Sequence, residues 1–285
     1  VSAIRPTTGL VPSDTRRVGL TNFGVQGPMA RTARDCALML SVMAGNHSQD
    51  PMAFNVPGGD YRELPVIDLS GLRIAVSVDL GFAPVASAIR AVFLERLGKF
   101  KGIFRCCEFH DPELDTALDV FWILRGVNFL IGHLDHYRHH RDQLGSNIVV
   151  NVESGLKLTA EEIGWAHAEH TRLYRQFQTL FEKYDLLITP GQPITPTPVD
   201  QRNVTMIDDL PMDNYMHASA LTSSLTLTGN PCVAIPCGLD HTGMPFGLQV
   251  VGPMHGDWFT LGVAAALENL FSSDLDLARP VPDFS

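Results

Sequence analysis

The stretch that decides the fold is Thr226-Leu-Thr-Gly-Asn-Pro-Cys-Val-Ala-Ile-Pro-Cys-Gly238, followed by Gly243-Met-Pro-Phe-Gly-Leu-Gln-Val-Val-Gly252. Residues 233–235 form a short apolar run that Pro236 closes, and residues 246–251 form a second apolar run with glycines on both sides. Short apolar runs bounded by glycine and proline are typical of buried strands. We therefore predict two buried strands joined by a tight turn, in the central sheet of an α/β protein.

The first half of the chain predicts a parallel unit beside this sheet. Thr32, with Asp35 three residues later, indicates the capped start of a helix that runs to Met43. Residues 72–78 and 103–109 have strand-like patterns, and residues 86–97 between them form an amphipathic helix. A strand, a helix and a strand in this order favour a right-handed crossover and parallel pairing.

The remaining elements follow from caps and periodicity. Pro112 predicts the first turn of a helix that extends to about Phe129, and Thr159 with Glu162 predicts a capped helix that ends near Lys183. We also predict a strand at 186–189, helices at 214–227 and 257–271, and segments without regular structure at 1–30, 46–68 and 191–211. The fold class is therefore α/β, with a mixed central sheet covered by helices on both faces, in a single domain over residues 1–285.

Composition and charge exclude several classes of function. The chain has 285 residues, a formal net charge of -10 and no run of basic residues, so we expect no binding to nucleic acid or anionic membranes. No apolar stretch reaches the roughly 18 residues that span a bilayer, and the N-terminus has no signal-peptide pattern. The five cysteines, an odd number without framework spacing, favour reduced thiols and a cytoplasmic location.

Four motifs, in order along the chain, resemble those of the amidase signature family. They are Ile4-Arg-Pro-Thr-Thr-Gly-Leu-Val-Pro12, Gly27-Pro-Met-Ala-Arg-Thr-Ala-Arg-Asp35, Asp185-Leu-Leu-Ile-Thr-Pro190 and the stretch that begins at Thr226. The resemblance covers nearly the whole chain. It implies a hydrolase that cleaves a small linear carboxamide without a metal or organic cofactor.

The resemblance also implies a Ser-Ser-Lys triad, which this sequence does not contain. Ser223-Ser224 lies on an apolar, helix-like stretch without flanking glycines, and Lys157 and Lys183 are interpreted as surface residues. We therefore expect the chain to be the C-terminal part of an amidase whose N-terminal part, with the triad, lies upstream, and to be inactive alone. Such a chain would associate with that N-terminal half, form homo-oligomers or aggregate, because its sheet would be incompletely covered.

No residue of this chain is predicted to be catalytic or to bind a metal. In the family that the chain resembles, the region around Asn214 lines the acyl side of the substrate pocket, so the predicted pocket wall includes Asn214, Tyr215, Thr228 and Asn230. Trp122, on a helix before the histidine cluster, is a second possible wall. Ordinary core packing is an equally good interpretation of these five.

The histidines of the chain are interpreted as solvated. Those at 133, 136, 139 and 140 have helical spacing, but the neighbouring Arg138 and Arg141 favour a solvated helix end. His167 and His170 are expected on the exposed face of the helix that follows Thr159.

Two other functions remain open at this point. The chain could belong to the amidase subunit of a tRNA-dependent amidotransferase, since that subunit shares the same C-terminal motifs. It could also be a non-catalytic binding or scaffold protein that retains the wall of the substrate pocket without the chemistry.

Overall fold

The computed structural model describes residues 1–55 and 61–281. Within these ranges the strands are β1 (Ser2–Arg5), β2 (Met29–Ala30), β3 (Arg73–Val76), β4 (Cys106–Phe109), β5 (Leu186–Pro190), β6 (Met206–Ile207), β7 (Leu210–Pro211), β8 (Cys232–Leu239) and β9 (Pro245–Val251). The α-helices are α1 (Ala33–Met43), α2 (Ser87–Phe100), α3 (Ala117–His140), α4 (Ser146–Lys157), α5 (Ala160–Lys183), α6 (Ala220–Thr228) and α7 (Asp257–Phe271).

The main sheet is mixed and has the order β2-β1-β8-β9-β5-β3-β4. Strand β3 runs parallel to β4 and β5, which confirms the predicted parallel unit. Strands β8 and β9 form an antiparallel pair at the centre, as predicted, with Ala234 opposite Gln249. Strands β6 and β7 form a separate small hairpin inside the proline-rich segment 191–211, for which the sequence predicts no regular structure.

The turn between β8 and β9 is fixed by one carboxylate and one glycine. Asp240 Oδ1 accepts hydrogen bonds from the backbone N–H groups of Thr242 and Met244, and Gly243 has φ +82°, which favours glycine. The prediction that Pro236 ends the strand is wrong, because β8 continues to Leu239. Pro236 is tolerated within the strand because the pairing register shifts just after it.

The first thirty residues are not simply a loop, which corrects the sequence-based prediction. Strand β1 pairs with β2 on one side and with β8 on the other. Sequence patterns missed β1 because only four residues are extended and its main partner lies more than 220 residues away. The same packing requires a glycine at position 27, since a Cβ there would lie 1.9 Å from the carbonyl oxygen of Ile4.

Capping residues place two helix starts where the sequence predicts them. The Thr32 side chain accepts from the backbone N–H of Asp35 at the start of α1, and Thr159 with Glu162 forms a complete capping box at the start of α5. Pro112 is not in α3, because residues 112–116 form a turn in which Leu114 N–H donates to the Pro112 carbonyl oxygen. The predicted helix from 214 to 227 is replaced by a 3₁₀ turn at His217–Ser219 and the shorter α6.

Helix α3 extends beyond Phe129 to His140, so the histidine cluster lies at its C-terminal end. Three of these histidines are exposed, and no group of three or more His, Cys, Asp or Glu residues in the described part of the chain could hold a metal ion. The segment Ala117–Gln143 contains an 18-residue window with a mean hydropathy of 1.3, which by length and composition alone is enough to cross a membrane. This corrects the statement that no stretch reaches that length. Core helices of soluble proteins pass the same test.

The helices cover both faces of the sheet, as predicted. Helices α1 and α7 pack against each other and against β1 and β8, and Phe100 of α2 contacts Phe271 of α7 with ring centroids 5.0 Å apart. Helices α3, α4, α5 and α6 form a second cluster in which α3 contacts the other three. That residues 1–285 form one domain stays a prediction.

Candidate active-site cleft

An open cleft of about 560 Å³ lies over the β1-β8-β9 part of the sheet. Its floor is the face that carries Ala3, Arg5, Cys232, Ala234 and Gln249, which the strand register places side by side. Alternation along a strand sends the neighbouring residues of β8 to the opposite face, where they are fully buried. Because several floor residues are small, the sheet leaves room for a bound molecule here.

One wall of the cleft carries a row of hydroxyl groups. Ser219, Thr222, Ser223 and Thr226 line it at the i, i+3, i+4 and i+7 spacing of one helix face. The Thr222 hydroxyl donates to the Ser219 carbonyl oxygen, whereas Ser223 Oγ is buried with no hydrogen-bond partner in the described part of the chain. This row of hydroxyls was not predicted, although its helical spacing is visible in the sequence.

Arg5 joins the floor of the cleft to its walls. Its Nη2 donates to the carbonyl oxygens of Asn22 at 2.8 Å and Thr226 at 3.2 Å, and its Nη1 donates to that of Asn230 at 3.4 Å. Burial lowers the pKa of Arg5 to about 10, so the guanidinium remains charged at neutral pH. Thr226 lies in the last turn of α6, where a cation also interacts favourably with the helix dipole.

Gln249 and Cys232 complete the floor. Gln249 Nε2 donates to Thr189 Oγ1 at 2.9 Å and to the Pro190 carbonyl oxygen at 3.1 Å, and its Oε1 lies 3.7 Å from the Cys232 thiol. Burial raises the pKa of Cys232 to about 12. The thiol is therefore protonated at neutral pH, which makes it a poor nucleophile.

An aromatic cluster stands beside the cleft and contains two of the predicted wall residues. The rings of Trp122 and Tyr215 are edge-to-face with centroids 6.1 Å apart. The Tyr215 hydroxyl accepts from Arg125 Nη2 at 2.9 Å and lies 2.5 Å from Asn151 Nδ2. Phe121, one residue before Trp122, lines the cleft itself. The structure thus brings Trp122 and Tyr215 together.

The other three predicted wall residues have structural contacts. Asn214 Oδ1 accepts from the backbone N–H groups of Met216 and His217 and so shapes the turn before α6. The Thr228 hydroxyl donates to the Leu225 carbonyl oxygen inside α6. Asn230 is buried, with Nδ2 donating to the Gly252 carbonyl oxygen at 2.9 Å and Oδ1 accepting from Gln178. Whether any of the five contacts a substrate stays a prediction.

The two lysines considered as bases make no hydrogen bond to a serine in the described part of the chain. Lys157 and Lys183 are exposed, and Lys183 Nζ lies 3.2 Å from Glu108. Ser224 is buried on α6, and a second serine pair at 272–273, overlooked in the sequence, is exposed at the end of α7. His170 is half-buried and bonded to the Leu227 carbonyl oxygen, which corrects the expectation that it is exposed.

The arrangement therefore offers binding without an evident reactive group. A cleft with a small-residue floor, a row of hydroxyls and an aromatic flank can hold a small uncharged polar molecule. Among residues 1–55 and 61–281, Arg5 is the only charged residue on the lining of the cleft, and its guanidinium N–H groups are directed at backbone carbonyls.

Comparisons with known proteins agree on one family. A family model described as Amidase matches residues 2–261. The chain is 26% identical to an acylamidase of Rhodococcus erythropolis over 270 residues, which cover 94% of this chain and 57% of that relative. It is 29% identical to a glutamyl-tRNA(Gln) amidotransferase subunit of Geobacillus kaustophilus (strain HTA426) over 316 residues, which cover 99% of this chain and 61% of that relative.

Solved structures share the fold. A bacterial aryl acylamidase of the amidase signature enzymes matches with a TM-score of 0.84 at 20% identity, covering 98% of this chain and 61% of that one. A chain from a vestigial protein complex that bears on the origins of an s-triazine catabolic enzyme matches with a TM-score of 0.83 at 20% identity, covering 99% and 60%. This chain thus spans about 60% of the length of the proteins it matches.

Proposed function

The chain belongs to the amidase family, and on that premise we propose that its protein hydrolyses a linear carboxamide to a carboxylate and ammonia or an amine. The observation that carries the proposal is the cleft over β1, β8 and β9, whose floor includes the small side chains of Ala3, Cys232 and Ala234 and whose lining carries one charged residue, Arg5, among the described residues. An uncharged amide can enter such a cleft without the large desolvation cost of a charged ligand.

In this proposal the Ser-Ser-Lys triad comes from a segment outside the present sequence and lies over the cleft. The lysine takes the proton of the nucleophilic serine through the second serine, and the serine oxygen attacks the amide carbonyl carbon while backbone N–H groups stabilise the oxyanion. The C–N bond then breaks, the ammonia or amine leaves with that proton, and water hydrolyses the acyl-serine ester to release the carboxylate. The row of hydroxyls from Ser219 to Thr226 forms a wall for the acyl group. The chain alone is inactive, because loss of a nucleophile costs about 10⁶ in kcat.

The test combines intact mass, activity and serine labelling. We would purify the protein from its natural source, measure its mass against the 31.2 kDa of this sequence, and assay hydrolysis of an aryl amide such as 4-nitroacetanilide. A fluorophosphonate probe would then mark the nucleophile. We expect a larger, active protein that is labelled on a serine outside residues 1–285. Labelling of Ser223, or a 31.2 kDa protein that cleaves the amide, would refute the proposal.

A second candidate is the amidase subunit of a tRNA-dependent amidotransferase. Its support is the similarity to glutamyl-tRNA(Gln) amidotransferase subunits. Two of these subunits are 26% and 29% identical in sequence to this chain, compared with 26% for the acylamidase. This candidate requires partner subunits and predicts amide turnover that is coupled to transfer onto an acceptor. Hydrolysis of 4-nitroacetanilide by the purified protein without partners favours the first proposal. Copurification of further subunits with little free hydrolysis favours the second.

The third candidate, a non-catalytic binding or scaffold protein, predicts amide binding without turnover by the protein from its natural source. For every candidate we propose a cytoplasmic location, supported by five cysteines that are all free. We also propose that the partly open sheet face around Ala3 and Ala234 is covered either by the triad-bearing segment or by a second copy of the chain.

A further inference from the structure

A second cavity opens beside the candidate active-site cleft. It has a volume of about 480 Å³ and lies between the loop 16–24 and one face of helix α3, and we call it the side chamber. It shares Phe121 and Thr226 with the lining of the cleft. The two spaces therefore meet at these residues, and one molecule can extend from the cleft into the side chamber.

The α3 face supplies a cation to the side chamber. Arg125, Asn128, Phe129 and Gly132 line it at the i, i+3, i+4 and i+7 spacing of one helix face. The Arg125 guanidinium lies over the Phe129 ring, 4.6 Å from its centroid, and its Nη2 and Nε donate to the Tyr215 hydroxyl at 2.9 Å and 3.2 Å. These contacts hold the guanidinium in place, and because the partners are neutral they do not compensate its charge.

The loop supplies two more arginines, of which one is neutralised. Arg16 forms an ion pair with the Asp50 carboxylate. Arg17 is exposed, and its Nη1 donates to the carbonyl oxygens of Ile131 at 3.0 Å and Gly132 at 3.4 Å. The Arg17 side chain thus crosses from the loop to α3, and its other guanidinium N–H groups stay available to a ligand.

The side chamber is therefore positively charged in a chain whose formal net charge is -10. Among residues 1–55 and 61–281, no Asp or Glu lines it, and neither Arg17 nor Arg125 forms an ion pair. An anion in this cavity is attracted to both guanidinium groups. Guanidinium and carboxylate have matching planar geometry, so a carboxylate accepts two N–H groups side by side.

The rest of the lining favours an organic anion. Phe23, Phe121 and Phe129 present apolar surface to the side chamber, which a carbon chain can cover. Because the chamber is open, a carboxylate there keeps part of its hydration and avoids the full desolvation cost of a buried charge.

From these observations we propose that the substrate is an amide whose acyl part ends in a carboxylate, and that Arg17 and Arg125 bind this carboxylate. The inference rests on the proposed hydrolysis of a linear carboxamide and names its substrate class, the monoamides of dicarboxylic acids. The uncharged amide group lies in the cleft, a short carbon chain passes Phe121 and Thr226, and the carboxylate lies in the side chamber.

The test is ligand binding by the full chain, followed by ¹⁹F NMR titration. N-(4-fluorophenyl)succinamic acid carries an amide and a terminal carboxylate, whereas N-(4-fluorophenyl)succinamide has the same length and ends in an uncharged carboxamide. We expect the acid to bind about tenfold more tightly than the diamide, because its hydrogen bonds to guanidinium are charge-assisted. Added salt should weaken binding of the acid alone. Equal affinities for the two compounds, or binding of neither, would overturn the proposal.

Variants locate the carboxylate. Arg17→Met should lower the affinity for the acid about tenfold, to that for the diamide, and leave the diamide unaffected. The fold should tolerate this change, because the carbonyl oxygens that Arg17 contacts lie inside α3 and also accept helical N–H groups. Arg138→Met, which removes an exposed arginine of the same helix outside the side chamber, is the matched control. Unaltered affinity for the acid in Arg17→Met, or an equal loss in Arg138→Met, would overturn the proposal.

A cleft variant locates the amide group. Ala234→Leu extends a side chain from the cleft floor and should weaken binding of both compounds to the same extent. If it left the affinity for the acid unchanged, the ligand would not reach the cleft and the proposal would be wrong. Thermal melts verify that each variant is folded. None of these measurements needs turnover. Failure of the proposed function would appear instead as absence of hydrolysis of both 4-nitroacetanilide and N-succinyl-4-nitroaniline by the protein from its natural source.

Discussion

Replacement of Arg5 by methionine should destabilise the protein by about 3 kcal/mol or more. Arg5 donates to three backbone carbonyl oxygens, at Asn22, Thr226 and Asn230, and methionine fills similar space without any donor. Each buried acceptor left unpaired costs about 1–3 kcal/mol. Three such acceptors give about 3–9 kcal/mol; the contact at 3.4 Å is the weakest, so the lower half of that range is expected.

The assay is urea unfolding of the variant beside the parent chain, followed by circular dichroism. A loss of about 3 kcal/mol corresponds to a decrease in Tm of roughly 6 °C or more for a protein of this size. Arg5→Lys should lie between the two, because the ammonium keeps the charge near the end of α6 but cannot reach all three oxygens. Arg141→Met is the matched control, since Arg141 is an exposed residue paired with Glu153, and should lose about 1 kcal/mol or less.

The result that would refute this reasoning is a loss below about 1 kcal/mol in Arg5→Met, comparable to the Arg141 control. The three carbonyl oxygens would then be satisfied without Arg5, and its role in joining the floor of the cleft to both walls would be wrong. If Arg5→Lys loses as much free energy of unfolding as Arg5→Met, the stabilisation comes from the shape of the guanidinium, with little contribution from its charge.

Three further changes test other parts of the structure. Burial lowers the pKa of His170, so the folded state resists its protonation and the free energy of unfolding should fall as the pH drops below about 6.5. His170→Gln should reduce this dependence of stability on pH in urea titrations from about pH 8 to 5. An unchanged pH dependence would contradict the burial of His170. Gly238→Ala should prevent stable folding, seen as loss of soluble protein, because φ is +75° and the new Cβ would lie 1.9 Å from the Asp276 carbonyl oxygen; a normal melt would contradict this. Thr159→Ala should cost about 1 kcal/mol in urea unfolding through loss of the α5 capping box, and Thr179→Ala on the same helix should cost less.

Local signals in the sequence were sufficient for most of the fold. Thr32 and the pair Thr159–Glu162 marked helix starts because a capping side chain satisfies backbone N–H groups within three residues of itself. The β8-β9 hairpin was predictable for the same reason, since its apolar runs and the turn glycine lie close together along the chain. The start of α3 was missed because Pro112 fits both the first turn of a helix and the turn that precedes one.

The sites were harder to predict because they depend on distant partners. The small residue Ala3 forms part of the cleft floor only because it pairs with Ala234, and nothing near Ala3 in the sequence indicates that pairing. His170 was interpreted as exposed because its neighbours on α5 are polar, whereas the loop around Asn22 covers it. Tyr215 was predicted to line the pocket from the family resemblance and Trp122 was named as a second possible wall, and the contact between their rings does not test the role of either.

The strand order has a consequence for synthesis of the protein on the ribosome. The hairpin β8-β9 separates β1 from β5, so the sheet cannot close until residue 251 has left the exit tunnel. Until then the nascent chain carries β1 with one edge unpaired and the β3-β4-β5 group with another. Domains whose contacts are distant in sequence fold slowly and expose unpaired strand edges until the partner strands are available. We therefore expect truncated nascent chains that end before β8 to depend on chaperones, and the emergence of β9 from the exit tunnel to be the step at which the cleft forms.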